Sequence, residues 1–300
     1  MRGRDVRGVL LLDKPRGLTS NRALQRVKRL YDASKAGHTG SLDPLATGML
    51  PICFGAATRL GGFLLDAHKS YRVIACLGTA TDTADADGAV IEQRSSPVPT
   101  EAEVRAALPR FVGEIEQVPP MYSALKRDGV PLYRLARRGV TVEREARRVT
   151  IHALTLERYA WPELELSVRC SKGTYVRTLV VDIAAALGTL AHVRELRRCS
   201  VDPFTAEQMT SLDTLEELAA NDQCEALDRL LLPADSALPD WPAAVLGPDA
   251  ADRLSHGQAV AADPAWAVGR IKVYREPRDL LAIAEVTPDG RLVPQRVFPR

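Results

Sequence analysis

Three hundred residues, 46% apolar, 26% charged and 5% aromatic, describe a globular chain able to bury one large core and a smaller second one, and exclude a disordered or collagen-like chain. Forty basic residues stand against 38 acidic ones, and the net charge of +2 by itself names no polyanionic partner. The longest early apolar run, Val9 to Leu12, stops at Asp13 and Lys14, far short of the roughly 18–20 residues that cross a bilayer. Neither a signal peptide nor a membrane anchor is expected, which makes the cytoplasm the expected compartment.

Gly8 to Leu12 reads as a strand, closed by the turn composition of Asp13-Lys14-Pro15-Arg16-Gly17. A helix follows, capped by Thr19 or Ser20, with Ala23, Leu24, Val27, Leu30 and Tyr31 on one face. Lys35 to Gly48 is rich in Gly, Thr, Ser, Asp and Pro and reads as a loop. Met49 to Phe54 is a short strand, Ala56 to Asp66 a helix, and Tyr71 to Leu77 a strand ending in the polar turn Thr81 to Gly88.

Thr100 and Glu103 form a capping box for a helix over Glu101 to Arg110. Pro131 and Gly139 frame a second, shorter one. Val149 to Tyr159 and Glu163 to Cys170 are strands, Thr174 to Leu187 a helix stopped by Gly188, and Arg197 to Val201 a further strand. Helices over Leu212 to Leu232 end at Pro233. Past a linker punctuated by Pro233, Pro239, Pro242 and Pro248, short strands are expected at Ile271–Tyr274, Leu280–Val286 and Arg291–Val297, the last two joined through Asp289-Gly290. The irregular alternation favours α+β over a doubly wound sheet.

The five cysteines are scattered and never form a C-x-x-C pair, so no disulfide framework or zinc knuckle is expected and most of them read as buried thiols. Charge, by contrast, is clustered. Between Lys126 and Arg148 eight basic residues face three acidic ones, a segment at +5 that leaves the remainder at −3. Such an island is either a nucleic-acid contact or a solvated helix face.

One loop concentrates chemistry. Gly37 to Gly48 (GHTGSLDPLATG) holds a single acid, Asp43, beside Pro44. No lysine follows Gly40 or Gly48, so it is not a phosphate-binding Walker loop. An aspartate presented in this way can be a nucleophile, a general base, a metal ligand or a turn-former. No neighbouring ligand set supports a metal.

The string from Gly37 to Pro51, GHTGSLDPLATGMLP, resembles the central motif of the TruB family of tRNA pseudouridine synthases. Five further blocks resemble that family in order: Asp13-Lys14-Pro15-Arg16-Gly17, Lys69-Ser70-Tyr71-Arg72, Pro119 to Lys126, Cys170 to Thr178 and Ala191 to Arg198. Beyond Leu246 the chain resembles the small PUA barrel that closes many bacterial members.

The resemblance implies the pseudouridine synthase fold, a mixed, largely antiparallel sheet flanked by helices. It divides the chain into a catalytic domain over 1–240, with an RNA-gripping insertion at about 120–150, and a PUA-like domain over 245–300. It implies an isomerase making pseudouridine-55 in the T-loop of tRNA, with no cofactor, no metal and no obligatory protein partner, and with the C-terminal domain reaching the acceptor end.

Asp43 is then the nucleophile, Arg177 its cationic partner, and Tyr71 the ring that stacks on the extruded uracil and carries a proton. Strand alternation with Val73 and Ala75 would by itself make Tyr71 a core residue. Tyr175 and Leu196 line the pocket, His38 holds the flipped-out RNA, and Lys14 buttresses the catalytic loop or contacts the substrate. Arg137 and Arg138 belong to the insertion that closes on RNA. A synthase for a different RNA, or a non-catalytic RNA-binding or RNA-folding protein on the same scaffold, are the competing readings; the second would leave Asp43 dispensable.

Overall fold

The structure, a computed structural model, describes residues 3–95, 98–277 and 279–298. Its first strand, β1 (Gly8–Lys14), is apolar without alternation because both of its faces are covered. Leu10 and Leu12 pack with Ala23, Leu24 and Val27, while Val9 and Leu11 pack with Leu60, Leu64 and Ile283. The first of these partners come from α1 (Ser20–Leu30), whose cap residue Thr19 accepts the Arg22 N–H at 3.2 Å.

The segment expected as loop contains the short strand β2 (Ala36–His38), which pairs with β3 (Thr47–Phe54). Instead of one helix from Ala56 to Asp66, the chain makes a 3₁₀ helix over Gly55–Leu60 and then α2 (Gly61–Asp66), broken where Gly61 and Gly62 give little helix propensity. The chain continues through β4 (Lys69–Leu77) and a hairpin of β5 (Thr79–Thr81) with β6 (Val90–Gln93). The capping box at Thr100 and Glu103 is formed and starts α3 (Glu101–Ala107), followed by β7 (Gly113–Gln117).

Within the basic segment lie the small hairpin of β8 (Lys126–Arg127) and β9 (Val130–Pro131) and the single-turn α4 (Leu132–Ala136). The long strand β10 (Arg147–Ala160) pairs with β11 (Glu163–Cys170), where Leu164, Leu166, Val168 and Cys170 are all buried as their alternation predicts. Helix α5 (Val176–Ala186) begins two residues later than expected because Tyr175 keeps extended dihedrals.

The next strand, β12 (Ala191–Val201), is twice the expected length. Bulges between Val193 and Glu195 and between Arg198 and Ser200 shift its alternation, which hides the strand from a period-2 reading. After it come β13 (Thr210–Ser211), α6 (Leu212–Ala220) and α7 (Cys224–Arg229).

These strands form one mixed sheet in the order β13-β1-β3-β12-β4-β11-β10-β7, with β2 on β3. The pairs β1–β13 and β12–β3 are parallel and the others antiparallel. Helix α5 covers β4, β11 and β12 through Leu179, Val180 and Ile183, in the same buried cluster as Leu42 and Leu45 of the glycine-rich loop.

A second, five-stranded sheet follows: β14 (Ala243–Val245), then α8 (Pro248–Ser255), β15 (Val260–Ala261), β16 (Gly269–Tyr274), β17 (Leu280–Val286) and β18 (Arg291–Val297), ordered β14-β16-β17-β18-β15. It curls into a half-barrel, and α8 packs on it through Ala251 and Leu254. Sequence punctuation by proline suggested linker there, but Pro248 occupies the first turn of α8, where its missing N–H costs nothing. Residues 299–300 of the expected 245–300 unit lie outside the described residues.

Of the cysteines only Cys53 and Cys170 are buried, which corrects the expectation that most would be. Cys76 is on the face of β4 opposite to Ala75 and is half-buried, as is Cys199, and Cys224 is exposed at the start of α7. No helix among the described residues is long and apolar enough to cross a membrane.

Candidate active site

The loop between β2 and β3 is pinned at two buried leucines. Leu42 and Leu45 enter the main core, and the Leu42 N–H and C=O both bond the buried Ser20 hydroxyl, at 2.7 and 3.0 Å. Between these anchors the Asp43 carbonyl accepts the Ala46 N–H at 3.1 Å, closing a turn. The Asp43 side chain stands into a cavity of about 300 Å³ and is 39% exposed there.

Lys14, at the end of β1, holds that turn from behind. Its ammonium donates to the carbonyls of Pro15 (2.9 Å), Leu18 (2.8 Å) and Pro44 (3.5 Å). The residue is 0% exposed, and burial, more than the opposing pull of Asp43, lowers its pKa to about 8. Of the two expected places for Lys14, its position behind the turn, with its ammonium on loop carbonyls and outside the cavity wall, matches that of a buttress.

Arg177 is the second residue of α5 and, far from lying on a helix surface, is 4% exposed. Its Nε meets the Asp43 Oδ2 at 2.9 Å, while Nη1 and Nη2 donate to the carbonyls of Thr83 and Tyr122, each at 2.7 Å. Asp85, also buried, lies 3.7 Å from Nη1 and is oriented by the Thr83 hydroxyl at 2.6 Å. Sequence reading placed Asp85 in an ordinary turn, and nothing in Thr81 to Gly88 marks it. Burial raises the Asp43 pKa, Arg177 opposes the rise, and the charge of Asp85 adds to it.

Tyr71 and Lys69 line the same cavity from β4. Burial pushes the Tyr71 hydroxyl pKa up, against the lowering influence of Arg198. Lys69 donates to the carbonyls of Ala67 (2.6 Å), Leu65 (3.0 Å) and Leu64 (3.4 Å), and burial brings its pKa down to about 8. Tyr175 is held at the N-terminus of α5 by reciprocal backbone bonds to the buried Gln117 side chain, at 3.0 and 3.3 Å. Leu196 completes the wall from β12.

Arg198, which the sequence reading left without a role, also lines the cavity. Its Nε donates to the Met49 carbonyl at 2.7 Å and its Nη2 to the Gly40 carbonyl at 3.0 Å. Its backbone crosses Gly48 so closely that a Cβ there would sit 2.2 Å from the Arg198 carbonyl oxygen. Gly48, with φ +96°, is therefore glycine for reasons of both space and dihedral.

The other expected site residues lie outside this wall. His38 is on β2, half-buried, and burial lowers its pKa. Arg137 and Arg138 are exposed just past α4, with the Arg137 guanidinium 5.7 Å from the Tyr133 ring centre. Their segment nonetheless reaches the cavity, through Ser123 and Ala124 in its wall and the Tyr122 carbonyl on Arg177. A separate opening of about 530 Å³ beneath the segment is lined by Lys126, Arg127, Arg144 and Arg147, with Glu143 and Glu145.

Such a site can present a carboxylate, paired with a buried arginine, to a flat ring that enters beside Tyr71. Comparison with known proteins identifies the family. Residues 28–176 match the TruB family pseudouridylate synthase (N terminal domain), residues 177–239 the tRNA pseudouridylate synthase B C-terminal domain, and residues 242–298 the Pseudouridine synthase II TruB, C-terminal model.

The chain is 52% identical over 295 residues to tRNA pseudouridine synthase B of Pseudomonas putida (strain GB-1), covering 98% of this chain and 96% of that one. It is 51% identical to the protein of the same name from Pseudomonas aeruginosa (strain UCBPP-PA14), covering 98% and 97%. Among solved structures, a chain of a Cbf5-Nop10-Gar1 complex superposes with a TM-score of 0.73 at 26% identity, covering 97% of this chain and 85% of that one. A chain of an archaeal box H/ACA sRNP Nop10-Cbf5 complex has the same TM-score at 24% identity, covering 98% and 87%, and shows the shared fold. From the sheet order to the three matched models, the chain belongs to the TruB family of pseudouridylate synthases.

Proposed function

We propose that the protein is the pseudouridine-55 synthase of tRNA, acting on the T-loop uridine with Asp43 as nucleophile. The observation that carries this reading is the Asp43–Arg177 ion pair at the mouth of a cavity walled by Tyr71, Tyr175 and Leu196. The uridine flips out of its loop, at a cost of a few kcal/mol that is smaller in a loop than in a duplex. Its ring lies against Tyr71, where stacking contributes about 1–3 kcal/mol.

Asp43 attacks the nucleotide, the C1′–N1 bond breaks, the base turns, a C1′–C5 bond forms, and the bond to Asp43 breaks to return the free carboxylate. The proton displaced from C5 leaves through Tyr71 and the freed N1 takes one up, so that product and substrate have the same composition. Arg177 keeps the carboxylate ionised in a site whose burial favours the neutral acid. His38, on β2 at the start of the catalytic loop, steadies the RNA around the vacated position.

Residues 1–240 form the catalytic domain and 245–300 the PUA-like domain, which meets the acceptor end of the tRNA. The insertion at 120–150, with Arg137 and Arg138, closes over the T-loop. The reading needs no further protein and places the enzyme in the cytoplasm with its substrate. Mapping pseudouridines in total RNA from a strain lacking the gene tests it: position 55 of tRNA should lose the modification while other sites keep theirs. Loss at an unrelated RNA with position 55 intact assigns a different substrate, and an unchanged map overturns the enzymatic reading.

A further inference from the structure

Arg198 is the largest of the fully buried side chains, 1% exposed. Neighbouring arginines meet acids: Arg177, in the cavity wall, has Asp43 and Asp85, and Arg197, next in the chain but outside that wall, grips Asp13 through two bonds of 2.9 and 2.7 Å. Arg198 instead donates to two backbone carbonyls, those of Met49 and Gly40. A guanidinium buried without a counter-ion is unfavourable, and an apolar side chain of similar volume would fill the space more stably. Its presence calls for a task that packing alone does not set.

The two carbonyls define that task. Gly40 precedes Asp43 and Met49 follows it, so one planar fork closes the segment that carries the nucleophile. The Arg198 backbone occupies the centre of the same construction: it is the ladder partner of Gly48 on its parallel side and of Tyr71 on its antiparallel side. Residues opposite one another in a ladder project to the same face, about 4.5–5.5 Å apart at Cβ. Both side chains line the cavity, and the positive charge of Arg198 favours the ionised form of the Tyr71 hydroxyl.

The other groups that face Tyr71 or share its cavity are Cys170 on β11, Asp43 on the loop, Lys69 on its own strand, and Tyr175 and Arg177 on α5. The nearby ammonium of Lys69 is bonded to the carbonyls of residues 64, 65 and 67. Arg198 is thus the cavity-lining cation that stands directly opposite Tyr71 in the sheet ladder.

We propose that Arg198 is a positioning residue, tying the loop that carries Asp43 to the strand that carries Tyr71 and aiming the Tyr71 hydroxyl at the base in the cavity. The inference rests on the proposed reaction for its consequence in turnover, while the Arg198–Tyr71 linkage itself can be read without turnover.

The test replaces Arg198 with Gln and with Lys in the full-length protein, with Arg194→Gln on the same strand as control, since Arg194 pairs with Glu163 away from the cavity. Pseudouridine formation in tRNA gives kcat and KM, and the ¹³Cζ resonance of labelled Tyr71, assigned by its disappearance in Tyr71→Phe, reports the hydroxyl's hydrogen bonding. Arg198→Gln should lower kcat at least tenfold with KM within threefold and should move the Tyr71 resonance; Arg198→Lys, which keeps the charge and part of the bonding, should fall between it and the wild type. Arg194→Gln should move neither.

A kcat within threefold of wild type, or lost turnover with the Tyr71 resonance unmoved, overturns the proposal in favour of a purely structural arginine. Should the Gln variant not fold, the Lys variant decides on the same two readouts. A wild-type protein inactive on tRNA overturns the proposed function and leaves the resonance to judge Arg198.

Discussion

The Arg177 guanidinium touches Asp43 with its Nε at 2.9 Å while both of its terminal nitrogens are bonded to backbone carbonyls. The arginine is 4% exposed and its partner carboxylate 39%. One member of the pair is therefore fixed by the fold and the other is open to a substrate, which is the polarity a nucleophile and its electrostatic support require.

Replacing Asp43, the proposed nucleophile, should separate binding from chemistry. Asp43→Asn keeps the size of the side chain and should bind tRNA within a few-fold of wild type while losing pseudouridine formation by about 10³-fold or more. Tritium release from C5-labelled uridine in tRNA measures the loss, and ready turnover by the variant removes Asp43 from the chemistry.

The pH dependence follows from the direction of the Asp43 shift. Burial raises its pKa, and the reaction needs the carboxylate, so activity should fall with acid at a pH above the ordinary aspartate range. Arg177 lowers that pKa and Asp85 raises it. Arg177→Gln should thus move the acid limb of kcat to higher pH and cost about 10²-fold in rate, whereas Asp85→Asn should move it to lower pH. Limbs that stay in place in both variants would assign the titration to another group.

Lys14 and Lys69 should leave a mark on stability. Each has a folded pKa of about 8 against an ordinary 10.5, so each takes up a proton on unfolding between those values. Folding stability should therefore rise with pH in that window, by at most about 1.4 kcal/mol per pH unit for each lysine. Urea unfolding of Lys14→Met at pH 8 to 10 should show a clearly smaller slope than wild type, and lowered activity because the turn around Asp43 loses its buttress. An undiminished slope would mean that Lys14 keeps its proton through this window and that burial does not lower its pKa.

In the proposed function the exposed arginines past α4 would meet RNA through charge. Neutralising Arg137 and Arg138 should weaken tRNA binding and flatten the plot of log affinity against log salt by about 0.7–0.9 per lost phosphate contact. Filter binding over a salt series checks this, and a slope equal to that of wild type returns these residues to a solvated helix end.

Much of the architecture was legible wherever one physical rule acted alone. The alternation of Leu164, Leu166, Val168 and Cys170, and the caps at Thr19 and Thr100, are local signals that the fold honours. What escaped was set by distant partners. The bulges of β12 broke its pattern, and Arg198 and Asp85 look like surface residues until strands far apart in sequence enclose them. Asp43 and Tyr71 could be nominated because their motifs are local, but their meeting in one cavity depends on β12 lying between β3 and β4.

The second sheet shares a core with the first. Ile283 and Phe298 are buried in the same cluster as Val9, Leu11, Leu60 and Leu64, so the C-terminal module serves as the outer wall of the strand that leads into the catalytic turn. A chain ended near residue 240 would bare that wall to water. Such a fragment should be sticky and short-lived rather than a smaller working enzyme, which makes the two units inseparable in practice even though each has its own sheet.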